Sequence, residues 1–282
     1  MANSYLNIVT FLLTTIFYYM VLKPSLPYSQ YKDKTSYKSY MSNSYMYLAI
    51  YIVLVILIQF IVNSSIISST CGGNITENMG AAGVMTFVPW ILIFGVIVLV
   101  LTIYPGFKSA FSDVVGYYYV SSSASKLLTD LLVNTDIEKK MSEDPSMTPE
   151  KKASLESAAD TIIKICGNNS ILINQIVPSN FEQYWNILKP LMKDQYQNDG
   201  PETEKIQNEL FELVVTRDNV GEAMWYIYTG LLLTSIVQLK ITSRGCASNP
   251  QTMEANYQKF LQQEQQTEQS NQNSSTTYTL SS

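Results

Sequence analysis

Apolar and charged positions are unevenly divided along the chain. Residues 5–22, 45–62, 84–103 and 224–239 contain no Asp, Glu, Lys or Arg. A helix needs roughly 20 apolar residues to cross a bilayer core, with about 17 as the lower end. Three of the stretches reach that length. The fourth, at ~1.5 Å per residue, covers roughly 24 Å of a ~30 Å core. Lys240 follows it and can snorkel to extend the span. All four are therefore predicted to be transmembrane helices. The first is read as an uncleaved anchor rather than a signal peptide. Residues 1–4 carry no Lys or Arg, and Tyr18, Tyr19 and Met20 stand where a cleavage site wants small side chains.

The polar segments between the spans set the expected sidedness. Residues 23–44 hold Lys23, Lys32, Lys34 and Lys38 against Asp33, with Tyr28, Tyr31, Tyr37 and Tyr40 among them. Residues 63–83 hold no Lys or Arg and one acid, Glu77. The positive-inside rule places the first loop in the cytosol, with the N-terminus and the second loop on the other side. Residues 104–221 then fall on the cytosolic side, with more acidic than basic residues. Their pattern is helical. Leu128, Leu131, Leu132 and Thr135 share one face of a predicted helix over 125–140. Thr148-Pro149-Glu150 predicts a helix start, running to Ile165. Ser179-Asn180-Phe181-Glu182 has capping-box spacing and opens a helix to about Leu188, ahead of Pro190. Gly200-Pro201-Glu202 opens another, to Val215, with Leu210 and Val214 one turn apart. Residues 249–282 are rich in Gln, Ser, Thr and Asn, with a short amphipathic helix over 253–266 and disorder over 271–282.

The predicted class is an all-α membrane protein, with about four transmembrane helices and a small helical domain between the third and fourth. Its parts are an anchor helix and basic loop (1–44), a transmembrane hairpin (45–103), a helical extramembrane domain (104–221), a fourth span (222–241) and a polar, partly disordered tail (242–282).

Composition narrows the chemistry. Charged residues make up 15 % of the 282, against about 25 % in soluble domains. There is no histidine, which excludes Ser-His-Asp and Cys-His catalysis and His-ligated metal sites. Three cysteines, Cys71, Cys166 and Cys246, are too few for a four-cysteine zinc site. A net charge of −5 does not fit a nucleic-acid surface. The sequence contains no phosphate-binding glycine loop, dinucleotide fingerprint or nucleophile elbow. The expectation is no enzyme activity, no catalytic residue, no cofactor and no metal. No span carries an ionisable group other than tyrosine, which counts against a transporter or channel.

Four spans place Cys71 and Cys246 on one side of the membrane and Cys166 on the other. A Cys71–Cys246 disulfide is therefore a candidate; three independent thiols are the alternative. Asn63, Asn74, Asn168 and Asn273 begin glycosylation sequons, of which Asn74 alone lies in a lumenal loop away from the membrane. Gly80, Ala81, Ala82, Gly83 and Gly95 permit close helix approach, or are ordinary membrane and loop residues.

Two stretches carry a resemblance. Tyr104-Pro-Gly-Phe-Lys-Ser-Ala-Phe-Ser-Asp-Val-Val-Gly-Tyr-Tyr resembles a Phe/Tyr-Pro-Gly-Trp-x-Ser-Pro-Phe-Ser-Asn-x-x-Gly-Tyr motif. Phe107 stands for Trp, Ala110 for Pro and Asp113 for Asn. Asn219-Val-Gly-Glu-Ala-Met-Trp-Tyr-Ile-Tyr-Thr-Gly-Leu-Leu-Leu-Thr-Ser, followed by Cys246, is similar to a Gly-Glu-x-x-Trp-x-x-x-Thr-Gly-x-Leu-x-Thr-Ser segment ending in a cysteine. Both motifs resemble those of a family of membrane proteins of large nucleocytoplasmic DNA viruses. The resemblance covers about 30 patterned residues and the general layout. It implies a multi-pass structural component of the virion internal membrane, held in an ER-derived host membrane during assembly. Its implied partners are the lipid bilayer, minor or major capsid proteins and other virion membrane proteins, without nucleic acid. A membrane transporter or channel and a membrane-anchored assembly factor stay open as alternatives.

The motif residues are also expected to work physically at the membrane border. Pro105 and Gly106 end the third helix after Tyr104. Phe107, Phe111, Gly116, Tyr117 and the tyrosines after it form an aromatic elbow at headgroup depth. Gly221, Glu222 and Trp225 do the same where the chain returns to the membrane.

Overall fold

The computed structural model describes residues 5–71, 75–132, 168–243, 254, 257–258 and 260–267. Among these residues all regular structure is helical, apart from one isolated antiparallel bridge between Leu132 and Met192. The predicted helices over 148–165 and beyond Leu132, and the disordered stretch 271–282, lie outside the described residues. Residues 260–267 are helical and overlap the stretch 253–266 predicted to form an amphipathic helix, running one residue past it.

α1 (Leu6–Phe17) continues as a π-helical turn, Tyr18–Leu22. α2 (Tyr28–Lys32) is short, and α3 (Lys34–Cys71) is a 38-residue rod. α4 (Ile75–Pro89), a π turn (Trp90–Phe94) and α5 (Gly95–Ile103) form one continuous path. Pro89 sits immediately before the π turn, where a wider turn accommodates the hydrogen bond that proline removes. Pro105–Lys108 is a 3₁₀ turn, α6 (Ser109–Phe111) a single turn, Ser112–Gly116 a π turn, and α7 (Tyr117–Leu131) a regular helix. After residue 168 come α8 (Asn169–Gln175), α9 (Phe181–Leu188), α10 (Asp194–Gln197) and the 43-residue α11 (Pro201–Ser243).

Three helical rods are long and apolar enough to cross a membrane: Lys34–Cys71, Asn78–Ile103 and Pro201–Ser243. The shorter apolar helix Leu6–Leu22 packs against α3 and α11. Their outward faces are apolar. Leu13, Val53, Leu57, Leu92, Leu99, Leu232 and Leu239 are all exposed. Such a belt around several helices is what lipid chains, not water, would cover.

Inside the bundle, Phe11, Tyr18, Tyr51, Trp90, Phe94, Val98, Tyr226 and Leu233 form one buried cluster. Val62, Ile66, Ile67, Ala82, Val237 and Ile241 form a second, farther along the same helices. Polar groups within the bundle bond across helices. Gln59 donates to the Asn7 carbonyl (2.9 Å), Asn63 to Thr86 Oγ1 (2.9 Å), and Thr15 and Tyr51 share a bond of 2.9 Å. Asn63 is fully buried, so its sequon is not accessible to a glycan. Gly230 lies directly under the Phe11 ring: a Cβ there would fall 2.0 Å from it. That is the close helix approach predicted for small residues, but in α11. A Cβ at Gly80 or Gly95 would meet nothing within 4 Å.

A third core gathers Val120, Leu128, Leu131, Ile173, Phe181, Trp185, Phe211 and Val214. Leu26 and Tyr28 join it from the segment predicted as a basic loop. Tyr28 packs on Phe181 and Phe211 at ring-centroid distances of 5.4 and 5.3 Å. That segment is mostly helical, and it is stitched into the same core as α7, α9 and α11.

Three predicted boundaries move. α3 begins at Lys34, and α4 covers 75–83, because a hydrophobic run marks where lipid contact begins and not where helical hydrogen bonding begins. α11 does not stop near Val215. Charges and one glycine across 217–222 change what the helix faces, without breaking it. Pro201 does open α11, as its place after Gly200 predicts. α9 spans Phe181–Leu188 as predicted, but the Ser179–Glu182 box is not formed. Asn180 instead accepts from the Val177 amide (2.8 Å) and donates to the Gln175 carbonyl (3.0 Å).

Candidate functional site: a buried ion cluster where two motifs interlock

The two motif segments are about a hundred residues apart in sequence and touch in space. Gly221 faces the backbone of Ser112: a Cβ at 221 would lie 2.6 Å from Ser112 Cβ and 2.8 Å from its nitrogen. Gly116 makes the reciprocal contact, since a Cβ there would lie 2.5 Å from the Arg217 carbonyl oxygen. Two glycines, one on each strand of the contact, let the π turn Ser112–Gly116 lie flat on α11. Trp225 Nε1 donates to the Phe107 carbonyl at 2.9 Å, and the Phe111 ring meets Trp225 edge-on at 5.1 Å.

These contacts hold a cluster of charges away from water. Glu222 is the hub. Lys23 Nζ lies 2.5 Å from Glu222 Oε1, and Lys108 Nζ 2.7 Å from Glu222 Oε2. Lys108 also reaches Asp218 at 3.0 Å, and the Tyr19 hydroxyl donates to Glu222 at 3.0 Å. Lys23 sits over the Tyr19 ring, 4.8 Å from its centroid, an added cation–π contact. The four charged side chains are each less than a fifth exposed. The ends of three apolar helices are thereby joined by ionic contacts: Lys23 follows the first, Lys108 the third, and Asp218 and Glu222 precede the charge-free part of α11.

The two lysines differ in how the surroundings act on them. Burial opposes charge on Lys108, but Glu222 and Asp218 together outweigh it and hold the pKa above the ordinary lysine value. Burial dominates at Lys23, which shares Glu222 with Lys108, and its pKa falls below the ordinary value. The difference follows from counting carboxylates: Lys108 has two and Lys23 one.

Arg217 is fully buried beside the cluster. Its guanidinium donates to the Ile173 carbonyl and, at 3.4 Å, to Asn174 Oδ1. Asn174 in turn donates to the Asp113 carbonyl at 3.0 Å. α8 is thus bonded both to α11 and to the π turn.

Against the cluster lies a cavity of about 450 Å³. One wall is the face of α3 carrying Tyr37, Tyr40, Ser44, Tyr45 and Leu48; the opposite wall is Pro105, Gly106, Lys108 and Ser109; the floor is Asp218 and Glu222.

Of the residues singled out from sequence, Phe107, Phe111, Gly116, Gly221, Glu222 and Trp225 converge on this interlock. Tyr104, Pro105 and Gly106 end α5 and begin the 3₁₀ turn, all three exposed. Gly106 has open space around it and no positive φ, so its role here is the tight turn and the cavity wall. Tyr117 packs on the third core, whereas Tyr118, 83 % exposed, and Tyr119 point outward. Cys71 is disulfide-bonded. Cys166 and Cys246 both fall outside the described residues, as does Asn74.

Sequence reasoning missed Tyr19, Lys108, Ser112, Arg217 and Asp218 as site members, and counted Lys23 only among the charges of the basic loop. One signal was present: Lys23, Lys108 and Glu222 all lie within five residues of an apolar run's end. Among the described residues no group of three or more Cys, Asp or Glu is arranged to hold a metal ion.

Trp225→Phe keeps the ring contact with Phe111 and loses the bond to Phe107. The expected cost is about 1 kcal/mol, read as a lower melting temperature in detergent micelles. No protein-family model, no curated protein and no solved structure matches the chain.

Proposed function

We propose that this is a multi-pass structural protein of the internal membrane of a large DNA virus particle. Four helices thread the bilayer, and the helical domain formed by the 104–221 segment stands on its surface to link membrane to capsid proteins. The single observation that carries this reading is the interlock of the two motif segments that resemble the viral family, Gly116 on Arg217 and Gly221 on Ser112. A platform tethered at both ends, with its entry and exit helices clamped by ion pairs, suits a scaffold that transmits load between a membrane and a shell. The outward apolar belt on all four helices supports the four-span arrangement. An ER-derived membrane is the assembly site implied by the same resemblance.

Within that arrangement Cys246 is the partner assigned to Cys71, because four spans put both on one side. Peptide mass analysis with and without reductant checks it. A linked peptide containing both cysteines is expected; a linkage to Cys166 would place that residue on the wrong side and contradict the topology.

The functional test is mass spectrometry of purified, protease-treated particles of the virus that encodes the chain, before and after detergent extraction. The chain is expected in the particle and in its detergent-soluble fraction. Its absence from the particle would refute the structural role.

A further inference from the structure

The cavity beside the ion cluster combines features that the cluster itself does not need. Its wall runs from Leu48 and Leu101, on the apolar rods, to Asp218 and Pro178, among the polar helices. A ligand filling it would cross from an apolar to a polar setting. The charged groups lining it are Lys23 and Lys108 against Asp113, Asp218 and Glu222, one more carboxylate than ammonium. Arg217, fully buried and interacting with Asp113 and Asp218, brings the local charges into balance, so the lining suits a ligand that carries one charge of each sign.

Aromatic rings supply the setting for the positive part. Tyr37, Tyr40 and Tyr45 line the cavity from one face of α3, and Tyr18 from the end of the first apolar helix. The Tyr37 and Tyr40 rings stack with centroids 6.3 Å apart. Tyr18 and Tyr40 lie within reach of Glu222, and tyrosine faces beside a carboxylate are a usual setting for an alkylammonium group. A donor is available a short way off: the third N–H of Lys108, whose other two are accounted for by Glu222 and Asp218, whereas the Ser109 hydroxyl is already given to the Gly106 carbonyl at 2.7 Å. The volume, about 450 Å³, lies within the roughly 300–1,000 Å³ of small-molecule sites.

We propose that this cavity holds the headgroup of a zwitterionic phospholipid, with its alkylammonium against the tyrosines and Glu222 and its phosphate at Lys108. The acyl chains leave past Tyr45 and Leu48 into the bilayer. The lipid becomes a further staple between α3 and the 3₁₀ turn. The inference rests on the chain being seated in a membrane at this level, and does not depend on the membrane being that of a virion.

The test uses the full chain in nanodiscs of equal phosphatidylcholine and phosphatidylglycerol, with retained lipid counted by native mass spectrometry. Phosphatidylcholine is expected in about fivefold excess over phosphatidylglycerol, on the scale of a partly desolvated cation–π site. Tyr37→Leu with Tyr40→Leu is expected to return the ratio to that of the bulk bilayer. Tyr45→Leu, at a half-exposed position where the fold loses little, is expected to lower it by about half that effect. Equal retention of the two lipids by the unaltered chain, or an excess unchanged in both variants, would overturn the proposal. Soluble phosphocholine titrated into the protein in a sugar-headed detergent separates a lipid from a free amine. Weak, non-saturating binding is expected, and tight saturation without any lipid preference would overturn the lipid assignment. Flotation of the protein with vesicles is read separately: a chain that does not float defeats the membrane reading as well.

Discussion

Glu222→Met is expected to destabilise the protein by about 3–5 kcal/mol, the cost of leaving buried charges without their partner. Lys23 loses its carboxylate altogether, and Lys108 keeps only Asp218. Unfolding in mixed micelles with increasing SDS, followed by tryptophan fluorescence, measures it. The informative comparison is the pair Lys23→Met with Glu222→Met. Removing both partners of a buried pair in favour of apolar side chains is often close to neutral, and Lys108 still has Asp218. The double variant is therefore expected to be more stable than Glu222→Met alone. A double variant worse than either single one would mean that Lys23 and Glu222 act independently, and that the cluster is not a unit. Glu222→Gln, which keeps hydrogen-bonding capacity without charge, is expected to fall between the unaltered chain and Glu222→Met.

The second large effect lies in the backbone contact. Gly→Ala within a helix ordinarily stabilises by up to about 1 kcal/mol. At Gly80, with nothing within 4 Å of the added carbon, that gain is expected. At Gly221 the sign reverses. The added methyl would press on the Ser112 main chain, and backbone cannot rotate aside as a side chain can. The expected cost of Gly221→Ala is about 1–3 kcal/mol, and Gly221→Val costs more. Gly116→Ala is expected to match it, through the Arg217 carbonyl. The two substitutions share one interface, so their costs should be less than additive. The same micelle unfolding assay reads all four variants. A stabilised Gly221→Ala would show that the π turn does not rest on α11.

The apolar plan of the chain was legible because a run without charges shows itself in any window, and three of the four runs lie in helices long and apolar enough to cross a membrane. The helix starts were legible where a residue has one dominant local role, as Pro201 does. The cluster was not. Lys23 and Glu222 stand 199 positions apart, and nothing in local spacing pairs a lysine after one apolar run with a glutamate before another. Glycine was misleading in both directions. Gly80 and Gly95 look like packing residues yet would meet nothing, while Gly116 and Gly221, read as part of an aromatic border at the membrane, give no local sign of the backbone contacts they make. Only the tertiary approach of α11 to the π turn distinguishes the two cases. The length of α11 was hidden for a related reason. Its 43 residues extend about 65 Å, roughly twice a bilayer core, and the change from polar to apolar faces midway imitates a boundary between two elements.

The number of times the chain crosses the bilayer governs the sidedness, the assigned disulfide and the platform alike. It is read most directly by placing small epitope tags at the N-terminus, at the C-terminus and beside the exposed Asp199, and digesting sealed vesicles carrying the protein. Four crossings predict that the two terminal tags share one fate and the Asp199 tag the opposite one. Terminal tags on opposite sides would mean three crossings, with the Leu6–Leu22 helix failing to span, and would contradict the clamp at the membrane border.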